Sequence, residues 1–234
     1  MRQSVVSVVI SAYNEEKTIG NVISDTTSIM DSLDVPYEII VVNDGSTDKT
    51  GLIAHSHKAT VLSNKINRGK GYSLRNALKH TQGDIIVTID ADGEHKPKEI
   101  PDLIEPLFNG TDIVAGSRFL GTQRHATKKL NQIGNFFFNA TIMTLTGKRV
   151  TDSQTGFRAI KRHVLEMLNL ESDGYEIETE ITVKGLRNGF VFKEKPITVE
   201  RRKYSISKLK IIADGTKILK TILEASFSTI EHNS

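Results

Sequence analysis

The most chemically informative segment of the sequence is Asp90-Ala91-Asp92-Gly93-Glu94, which directly follows an apolar run. Two carboxylates one residue apart, with a third at Glu94, offer the hard oxygen ligands that suit Mg²⁺ or Mn²⁺. A cation held by Asp90, Asp92 and Glu94 could bind a diphosphate and offset the charge of a departing nucleoside diphosphate. The alternative is a polar turn in which Asp92 caps a helix that begins near Pro97.

A second polar segment, Asn43-Asp44-Gly45-Ser46, also follows an apolar β-branched run. The carboxylate of Asp44 could accept hydrogen bonds from a nucleobase or a ribose, and Gly45 would let the backbone approach a ligand. The alternative is a strand-to-helix turn in which Ser46 or Thr47 is the N-cap.

The third segment, Asn67-Arg68-Gly69-Lys70-Gly71, is glycine-rich and basic and stands at a predicted helix start. Backbone amides and Lys70 could contact a phosphate there. The chain has neither the Gly-x-x-x-x-Gly-Lys-Ser/Thr string of a P-loop nor a Gly-x-Gly-x-x-Gly string, so a nicotinamide or flavin site has no support.

These segments are positioned by alternating strand and helix patterns. Apolar β-branched runs predict strands at 4–11, 37–42, 60–63, 84–89 and 112–115, and helical periodicity predicts helices at 15–33, 70–81 and 97–108. Such alternation is typical of an α/β fold with a mostly parallel sheet, whose ligands bind at the carboxyl ends of the strands. The polar segments fall at those ends.

The pattern changes after about residue 120. A basic stretch leads into an aromatic helix, a short middle section follows, and a long amphipathic helix closes the chain. No linker or repeat stands out, so we predict one domain, 1–234, with a C-terminal amphipathic helical elaboration.

Composition excludes several classes of protein. The 234 residues include 31 Lys and Arg against 28 Asp and Glu, a net charge of +3, which argues against a general nucleic-acid binder. The absence of cysteine excludes disulfide scaffolds, thiolate metal sites and cysteine nucleophiles. No run approaches the ~20 apolar residues of a membrane-spanning helix.

The sequence resembles the family 2 glycosyltransferases of GT-A (Rossmann-like) fold through an ordered series of motifs. The first are Ala12-Tyr13-Asn14-Glu15, Asn43-Asp44-Gly45-Ser46, Asn67-Arg68-Gly69-Lys70-Gly71 and Asp90-Ala91-Asp92. Later motifs narrow the resemblance to the dolichyl-phosphate or polyprenyl-phosphate hexose (mannose) synthases: Gly116-Ser117-Arg118-Phe119, residues 152–159, residues 174–180, Arg202 and Ser207-Lys208-Leu209.

The resemblance implies roles for individual residues. It implies a nucleotide-sugar site formed by Ala12, Tyr13, Asn14, Glu15, Asp44, Gly45, Lys70, Asp90 and Ala91. It implies a metal and diphosphate cluster of Asp90, Asp92 and Glu94, with Mg²⁺ or Mn²⁺ as cofactor. It implies catalytic positions at Asp92, Arg118, Arg202 and Lys208, the last three being cations near the donor diphosphate and the lipid phosphate.

Three positions depart from the family pattern. Ala12 stands where proline is usual, Asn43 replaces the first carboxylate of an Asp-Asp pair, and Glu94 stands where glutamine is frequent. None argues against activity, since Asp44 keeps the second carboxylate and Glu94 can still bind metal.

The second half of the chain, 121–234, would face the acceptor, while 1–120 would bind the nucleotide sugar. Expected acceptor or sugar contacts are Gln154, Glu176, Glu178, Glu180, Lys128 and Lys129. Helical spacing would place Glu176 and Glu180 on one face and Glu178 on another. Cations before Phe136-Phe137-Phe138, and the amphipathic segment from Leu209, suit a membrane interface, although both helices could equally be core.

The expected reaction is transfer of a hexose from a GDP- or UDP-sugar to a polyprenyl phosphate, with inversion, by a peripheral enzyme on the cytoplasmic face of a membrane. Attachment could be direct or through a membrane partner subunit. An anionic lipid phosphate needs no strong general base, so catalysis reduces to positioning and charge stabilisation. The alternatives are a family 2 enzyme with a soluble or polysaccharide acceptor and a non-catalytic nucleotide-sugar-binding subunit. The processive branch is disfavoured because its Gln-x-x-Arg-Trp string needs a tryptophan, which the chain lacks.

Overall fold

The structure, a computed structural model, describes residues 4–57, 59–120, 129–200 and 211–227, without the side chains of 129–131, 211 and 212. Seven strands in these segments form one sheet: β1 (Val6–Ala12), β2 (Tyr37–Asn43), β3 (Thr60–Ser63), β4 (Ile85–Asp90), β5 (Ile113–Ser117), β6 (Arg158–Lys161) and β7 (Phe192–Pro196). The same segments contain eight α-helices: α1 (Ile19–Asp31), α2 (Thr50–Ser56), α3 (Lys70–Leu78), α4 (Ile100–Phe108), α5 (Lys129–Thr146), α6 (Arg162–Met167), α7 (Ile177–Arg187) and α8 (Ile211–Phe227).

The strands lie in the order β3-β2-β1-β4-β6-β5-β7. Neighbouring strands from β3 to β4 are parallel, as are β5 and β7, while β6 runs antiparallel to both β4 and β5. The prediction of a mostly parallel α/β sheet is therefore confirmed, with one reversed strand near its centre.

Helices cover both faces of the sheet, because the strands are apolar on both sides. In β1, Val6, Val8 and Ile10 pack with α1, α2 and α4 on one face, while Val9 belongs to a second apolar cluster with α3, α6 and α7. This double cover fixes the strand ends, and with them the polar segments that follow.

Two predicted helix boundaries need correction, and two strands were not predicted. The first helix begins at Ile19 rather than at residue 15, because Glu15 accepts the backbone bonds that start it. The predicted helix at 97–108 divides into a 3₁₀ turn, Pro97–Glu99, followed by α4. Two strands, β6 and β7, lie in the region after residue 120 for which the sequence predicted only a short middle section.

A third apolar cluster joins the helices of the second half. Ile142 of α5 packs with Val183 of α7 and with Ile218 and Ile222 of α8. No helix in the described ranges is both long and apolar enough to cross a membrane. The sheet takes strands from both predicted halves, since β6 and β7 follow residue 120.

Candidate functional site

A cleft of about 450 Å³ opens at the carboxyl ends of β1, β2 and β4. Parallel register brings these ends level: Ala12 pairs with Asn43, and Ser11 pairs with Asp90. Eight of the residues predicted to bind nucleotide sugar or metal line this cleft: Ala12, Tyr13, Glu15, Asp44, Lys70, Asp90, Ala91 and Asp92. Sequence segments up to 80 residues apart are thus assembled at one edge of the sheet, as the strand-end argument predicts.

Asp44 is buried and organises the glycine-rich segment. Its Oδ1 accepts hydrogen bonds from Asn64 Nδ2 at 2.7 Å and Arg68 N at 2.9 Å, and its Oδ2 accepts one from Gly69 N at 2.8 Å. Asp44 therefore fixes the turn that leads into Lys70. This is a structural role that the sequence did not predict, alongside its position in the cleft wall.

Two residues predicted to contact the nucleotide sugar also have structural roles. Asn14 has a left-handed φ of 54°, and its Oδ1 accepts a bond from Thr47 N at 2.8 Å, which ties the first loop to the second. Gly45, with φ of 71°, lies so close to the Ile66–Asn67 backbone that a Cβ would be 2.3 Å from Ile66 C. Gly45 thus makes room for neighbouring backbone, where the sequence predicted room for a ligand.

Three charged side chains form an ion cluster at the floor of the cleft. Lys70 Nζ lies 2.5 Å from Asp90 Oδ1 and 2.8 Å from Glu178 Oε1. Burial alone would lower the pKa of Lys70, but the two carboxylates outweigh it and raise that pKa, so the ammonium stays charged. Burial raises the pKa of Glu178, and Lys70 opposes that shift. The sequence predicted phosphate contact for Lys70, whereas the structure gives it two carboxylate partners.

The segment after Asp90 forms a tight turn. Asp92 is buried, and its Oδ1 accepts a bond from Glu94 N at 3.0 Å. The residue before the 3₁₀ turn is Lys96, so Asp92 does not cap it, and the alternative of Asp92 as a helix N-cap is not what the structure shows.

His95 is a buried group in this turn to which the sequence assigned no role. Its ring lies 5.4 Å from that of Phe157, and its Nδ1 is 4.0 Å from Asp90 Oδ2. Burial lowers the pKa of His95 to about 4, and Arg118 and Lys70 add to that lowering, so the imidazole is neutral at pH 7. The sequence feature that could have identified His95 is its position directly after the carboxylates Asp92 and Glu94.

Arg118 forms a two-pronged ion pair with Asp152, whose side chain is fully buried. The Nε–Oδ2 distance is 2.6 Å and the Nη2–Oδ1 distance is 2.8 Å. Burial would lower the pKa of Arg118, but Asp152 outweighs it and raises that pKa. The sequence predicted a phosphate role for Arg118 and missed Asp152 as its partner, although Asp152 opens one of the recognised motifs.

The three glutamates predicted to contact sugar are all buried at the start of α7. Glu176 Oε1 accepts a bond from Gly174 N. Glu180 accepts bonds from Glu171 N and Ser172 N, both at 2.9 Å, and pairs with Lys184 at 2.6 Å. Its oxygens therefore hold the preceding loop, a structural role that the sequence did not predict. Of the three, Glu178 reaches the cleft-floor cluster.

Of the remaining predicted site residues, the structure describes the side chain of Gln154 only. Gln154 donates to Thr179 Oγ1 at 2.7 Å and so joins its loop to α7. Lys128, Arg202 and Lys208 lie outside the described residues, and so does the side chain of Lys129.

The cleft fits a divalent cation that shares its coordination with a substrate. No three His, Asp or Glu side chains in the described segments are grouped closely enough to form a complete metal site. Asp90 and Asp92, however, present hard carboxylates to one cleft. Mg²⁺ commonly uses one or two protein carboxylates and takes its other ligands from phosphates and water. The donor set therefore suits a cation brought in together with a diphosphate.

Comparison with known proteins agrees with this geometry. Residues 7–168 match the model of the family described as glycosyl transferase family 2. The chain is 33% identical to the dolichol-phosphate mannosyltransferase of Pyrococcus furiosus, over 88% of this chain and 59% of that protein. It is 30% identical to the UDP-N-acetylglucosamine–dolichyl-phosphate N-acetylglucosaminyltransferase of Methanococcus voltae, over 95% of this chain and 96% of that protein.

A solved structure gives the same result for the fold. Glucosyl-3-phosphoglycerate synthase from Mycobacterium tuberculosis, in complex with Mn²⁺, UDP and phosphoglyceric acid, superposes with a TM-score of 0.74 at 26% identity. The match covers 97% of this chain and 80% of that one.

An α/β sheet with carboxylates at its strand ends, beside a cleft of about 450 Å³, agrees with the nucleotide-sugar-dependent transferases of GT-A fold. The chain belongs to glycosyltransferase family 2.

Proposed function

We propose that this enzyme transfers a hexose from a nucleoside diphosphate sugar to a polyprenyl phosphate at a membrane surface. The observation that carries the proposal is helix α5, which connects the site to an exposed apolar face. Asn139 Oδ1 accepts a bond from Ser153 N at 3.2 Å, beside the Arg118–Asp152 pair. On the same helix, Ile133, Phe136, Phe137 and Met143 are each more than half exposed.

Four large apolar side chains on one helix are unusual at a water-facing surface. Their spacing at i, i+3 and i+4 places Ile133, Phe136 and Phe137 on one side of α5. A face of this kind, next to a polar site, suits an acceptor with an apolar chain and an anionic head. The names of two relatives, which act on dolichol or dolichyl phosphate, support the same acceptor class.

On the donor side, Asp90 and Asp92 would hold a divalent cation, with Glu94 adjacent. When bound, that cation supplies positive charge for the diphosphate leaving group. Mn²⁺ accompanies UDP in the superposed synthase, which supports a divalent cofactor without choosing between Mg²⁺ and Mn²⁺. The wall residues Ala12, Tyr13, Glu15 and Asp44 would surround the nucleotide.

On the acceptor side, Arg118 would contact the lipid phosphate, together with Arg202 and Lys208. The pair with Asp152 engages Nε and Nη2 of Arg118, so Nη1 is the nitrogen we propose for a phosphate oxygen. The attacking phosphate oxygen is already anionic, so the reaction needs no proton acceptor. One direct displacement at the anomeric carbon inverts its configuration.

A soluble acceptor is the second candidate function. The superposed synthase was solved with phosphoglyceric acid, which favours transfer to a small phosphorylated molecule. A peripheral position on the cytoplasmic face, or attachment through a membrane partner subunit, applies only to the lipid acceptor.

One experiment separates the two functions. The protein is incubated with Mn²⁺ or Mg²⁺ and a panel of labelled UDP- and GDP-hexoses, either with polyprenyl phosphate in liposomes or with 3-phosphoglycerate. We expect label in the organic extract of the liposome sample. Label on phosphoglycerate, with none in lipid, would replace the lipid proposal by the soluble one.

A further inference from the structure

In the ion cluster of Lys70, Asp90 and Glu178 at the cleft floor, the Lys70 ammonium contacts Asp90. Asp90 is one of the two carboxylates that we propose for the metal. Lys70 Nζ contacts Asp90 Oδ1 at 2.5 Å, the shorter of its two carboxylate contacts. The Asp90 side chain is a quarter exposed to the cleft, and that of Glu178 is 6% exposed. An ammonium this close to Asp90 opposes a second cation there, because like charges repel strongly in a partly buried site.

Glu178 has capacity to hold Lys70 without Asp90. Its Oε2 is buried and has no hydrogen-bond partner among the described residues, while its Oε1 already contacts Lys70. A buried carboxylate oxygen without a hydrogen-bond donor costs free energy. A further hydrogen bond from the Lys70 ammonium to Glu178 Oε2 would remove that cost.

The backbone of Lys70 is fixed by contacts with the segment 172–174. Gly71 N donates to Gly174 O at 3.2 Å, and Tyr72 N donates to Asp173 O at 3.1 Å. Any side chain at Gly69 or Gly71 would clash with the 172–174 backbone, so this segment is packed closely. A move of Lys70 between carboxylates therefore needs only side-chain rotation.

Gly156 supplies the space for the head group of Lys70. A Cβ at Gly156 would be 2.1 Å from Lys70 Nζ and 2.9 Å from Asp90 Oδ2. The Gly156 carbonyl is held by Thr88 Oγ1 at 2.7 Å, so the strand end and this glycine are positioned together.

We propose that Lys70 is a built-in competitor of the divalent cation: metal binding displaces its ammonium from Asp90, and Glu178, which it already contacts, then holds it without Asp90. Glu178 is then a positioning residue that sets metal affinity through Lys70, where the sequence predicted a sugar contact. The empty enzyme keeps Asp90 neutralised, and the cation and diphosphate together drive the exchange. This inference rests on the proposed metal site at Asp90 and Asp92, but not on the identity of donor or acceptor.

The first test measures binding of Mn²⁺ by electron paramagnetic resonance, first alone and then with UDP present, without sugar or acceptor. Lys70→Met should lower the Kd for Mn²⁺ by about fivefold or more, and Glu178→Gln should raise it by a similar factor, the scale of an ordinary coupling between sites. In the Lys70→Met background, Glu178→Gln should have little effect. Unchanged or weaker Mn²⁺ binding by Lys70→Met would overturn the proposal, and so would equal effects of Glu178→Gln in both backgrounds.

Glu180→Gln is the matched control, since Glu180 is a buried glutamate on the same helix that pairs with Lys184 instead. Its Kd for Mn²⁺ should stay within twofold of the parent value, and thermal melting checks the fold of every variant. Failure of the parent enzyme to bind Mn²⁺ would remove the metal site itself, while normal binding that Lys70→Met leaves unchanged would remove only the exchange.

A second test needs no variant. A crystal structure of the parent enzyme with Mn²⁺ and UDP should show Lys70 Nζ in contact with Glu178 and more than about 4 Å from Asp90, beyond an ordinary ion-pair distance. A lysine that still contacts Asp90 beside the bound metal would refute the exchange, whatever the binding data show.

Discussion

The cleft floor and the outer face of α5 depart from ordinary surface composition in opposite directions. At the cleft floor, the charged side chains of Lys70 and Glu178 are only 15% and 6% exposed. On α5, Phe136 is 76% exposed and Phe137 is 54% exposed, although phenylalanine is usually buried. Buried charges carry a desolvation cost, and exposed aromatic groups contribute little burial free energy, so both regions are better explained by what they bind than by folding.

The two regions also differ in how they are held. At the cleft, each charged group has a specific partner at hydrogen-bond distance, so a single substitution should act strongly. The apolar side chains Ile133, Phe136 and Phe137 on the outer face of α5 carry no hydrogen-bonding groups, and the helix is anchored by its opposite side, where Ile142 packs on α7 and α8. Substitutions on the outer face should therefore change binding and leave the fold intact.

The largest effect should come from Asp92. We expect Asp92→Asn to keep the fold, because an amide oxygen can still accept the bond from Glu94 N, but to remove the charge that we propose binds the metal. Loss of metal-dependent stabilisation should lower kcat by about a thousandfold, equivalent to about 4 kcal/mol of barrier. Transfer assays and circular dichroism check this. Full transfer in excess chelator would show that the cleft works without a metal, and unfolding of the variant would restore a structural role for Asp92.

The second effect concerns stability at the cleft. Arg118→Ala leaves the fully buried Asp152 carboxylate without its two-pronged partner, and we expect unfolding free energy to fall by about 3 kcal/mol. The control is Lys220→Ala, which removes an exposed pair with Glu224 and should cost less than about 0.5 kcal/mol. Urea denaturation measures both. Equal small losses would mean that the Arg118 pair is worth no more than a surface contact.

Some strands of the sheet could be predicted from the sequence, and others could not. The ends of β1, β2 and β4 were predictable because apolar runs stop abruptly at polar motifs. Strand β6 was not, because Arg158 within it is an unusual residue for a central strand, and β7 reads Phe-Lys-Glu-Lys-Pro. Arg158 is tolerated there because it donates to Thr155 O, Ser153 O and Thr182 Oγ1.

Within the site, residue types were predictable and partners were not. The carboxylates of Asp90 and Asp92 follow from local motif and position. The pairing of Lys70 with Glu178 joins residues 108 positions apart and depends on how α7 packs against the sheet. The same limit applies to Glu180, whose sequence context resembles that of Glu178 but whose oxygens hold the loop before α7.

The third effect should link the two regions through the acceptor phosphate. If Arg202 or Lys208 holds that phosphate in the transition state, alanine at either position should lower kcat by about 2 kcal/mol of barrier, roughly thirtyfold. Arg201→Ala, which removes a neighbouring charge, is the control and should stay within error. Steady-state kinetics with lipid acceptor decide, and equal kcat in all three variants would remove these cations from the mechanism.

The smallest effect should be on membrane binding by α5. Replacing both Phe136 and Phe137 by Ser removes two exposed aromatic rings that we propose enter the lipid interface. Full burial of one such ring is worth about 1.5–3 kcal/mol, and partial burial less, so liposome partitioning should weaken by roughly tenfold for the pair. Cosedimentation with anionic liposomes measures this, and binding by the parent protein should also weaken as salt screens the basic residues Lys128 and Lys129.

The matched control for the two phenylalanines is Leu52→Ser on α2, which removes a 70% exposed apolar side chain from another helix. Because all three side chains are exposed, melting temperatures should stay close to that of the parent, and only the α5 variant should lose liposome binding. Equal partitioning by the parent and both variants would show that α5 does not dock on lipid. In that case its exposed face would be assigned to a membrane partner subunit, and mixing with solubilised membrane proteins should then protect Phe136 and Phe137 from water.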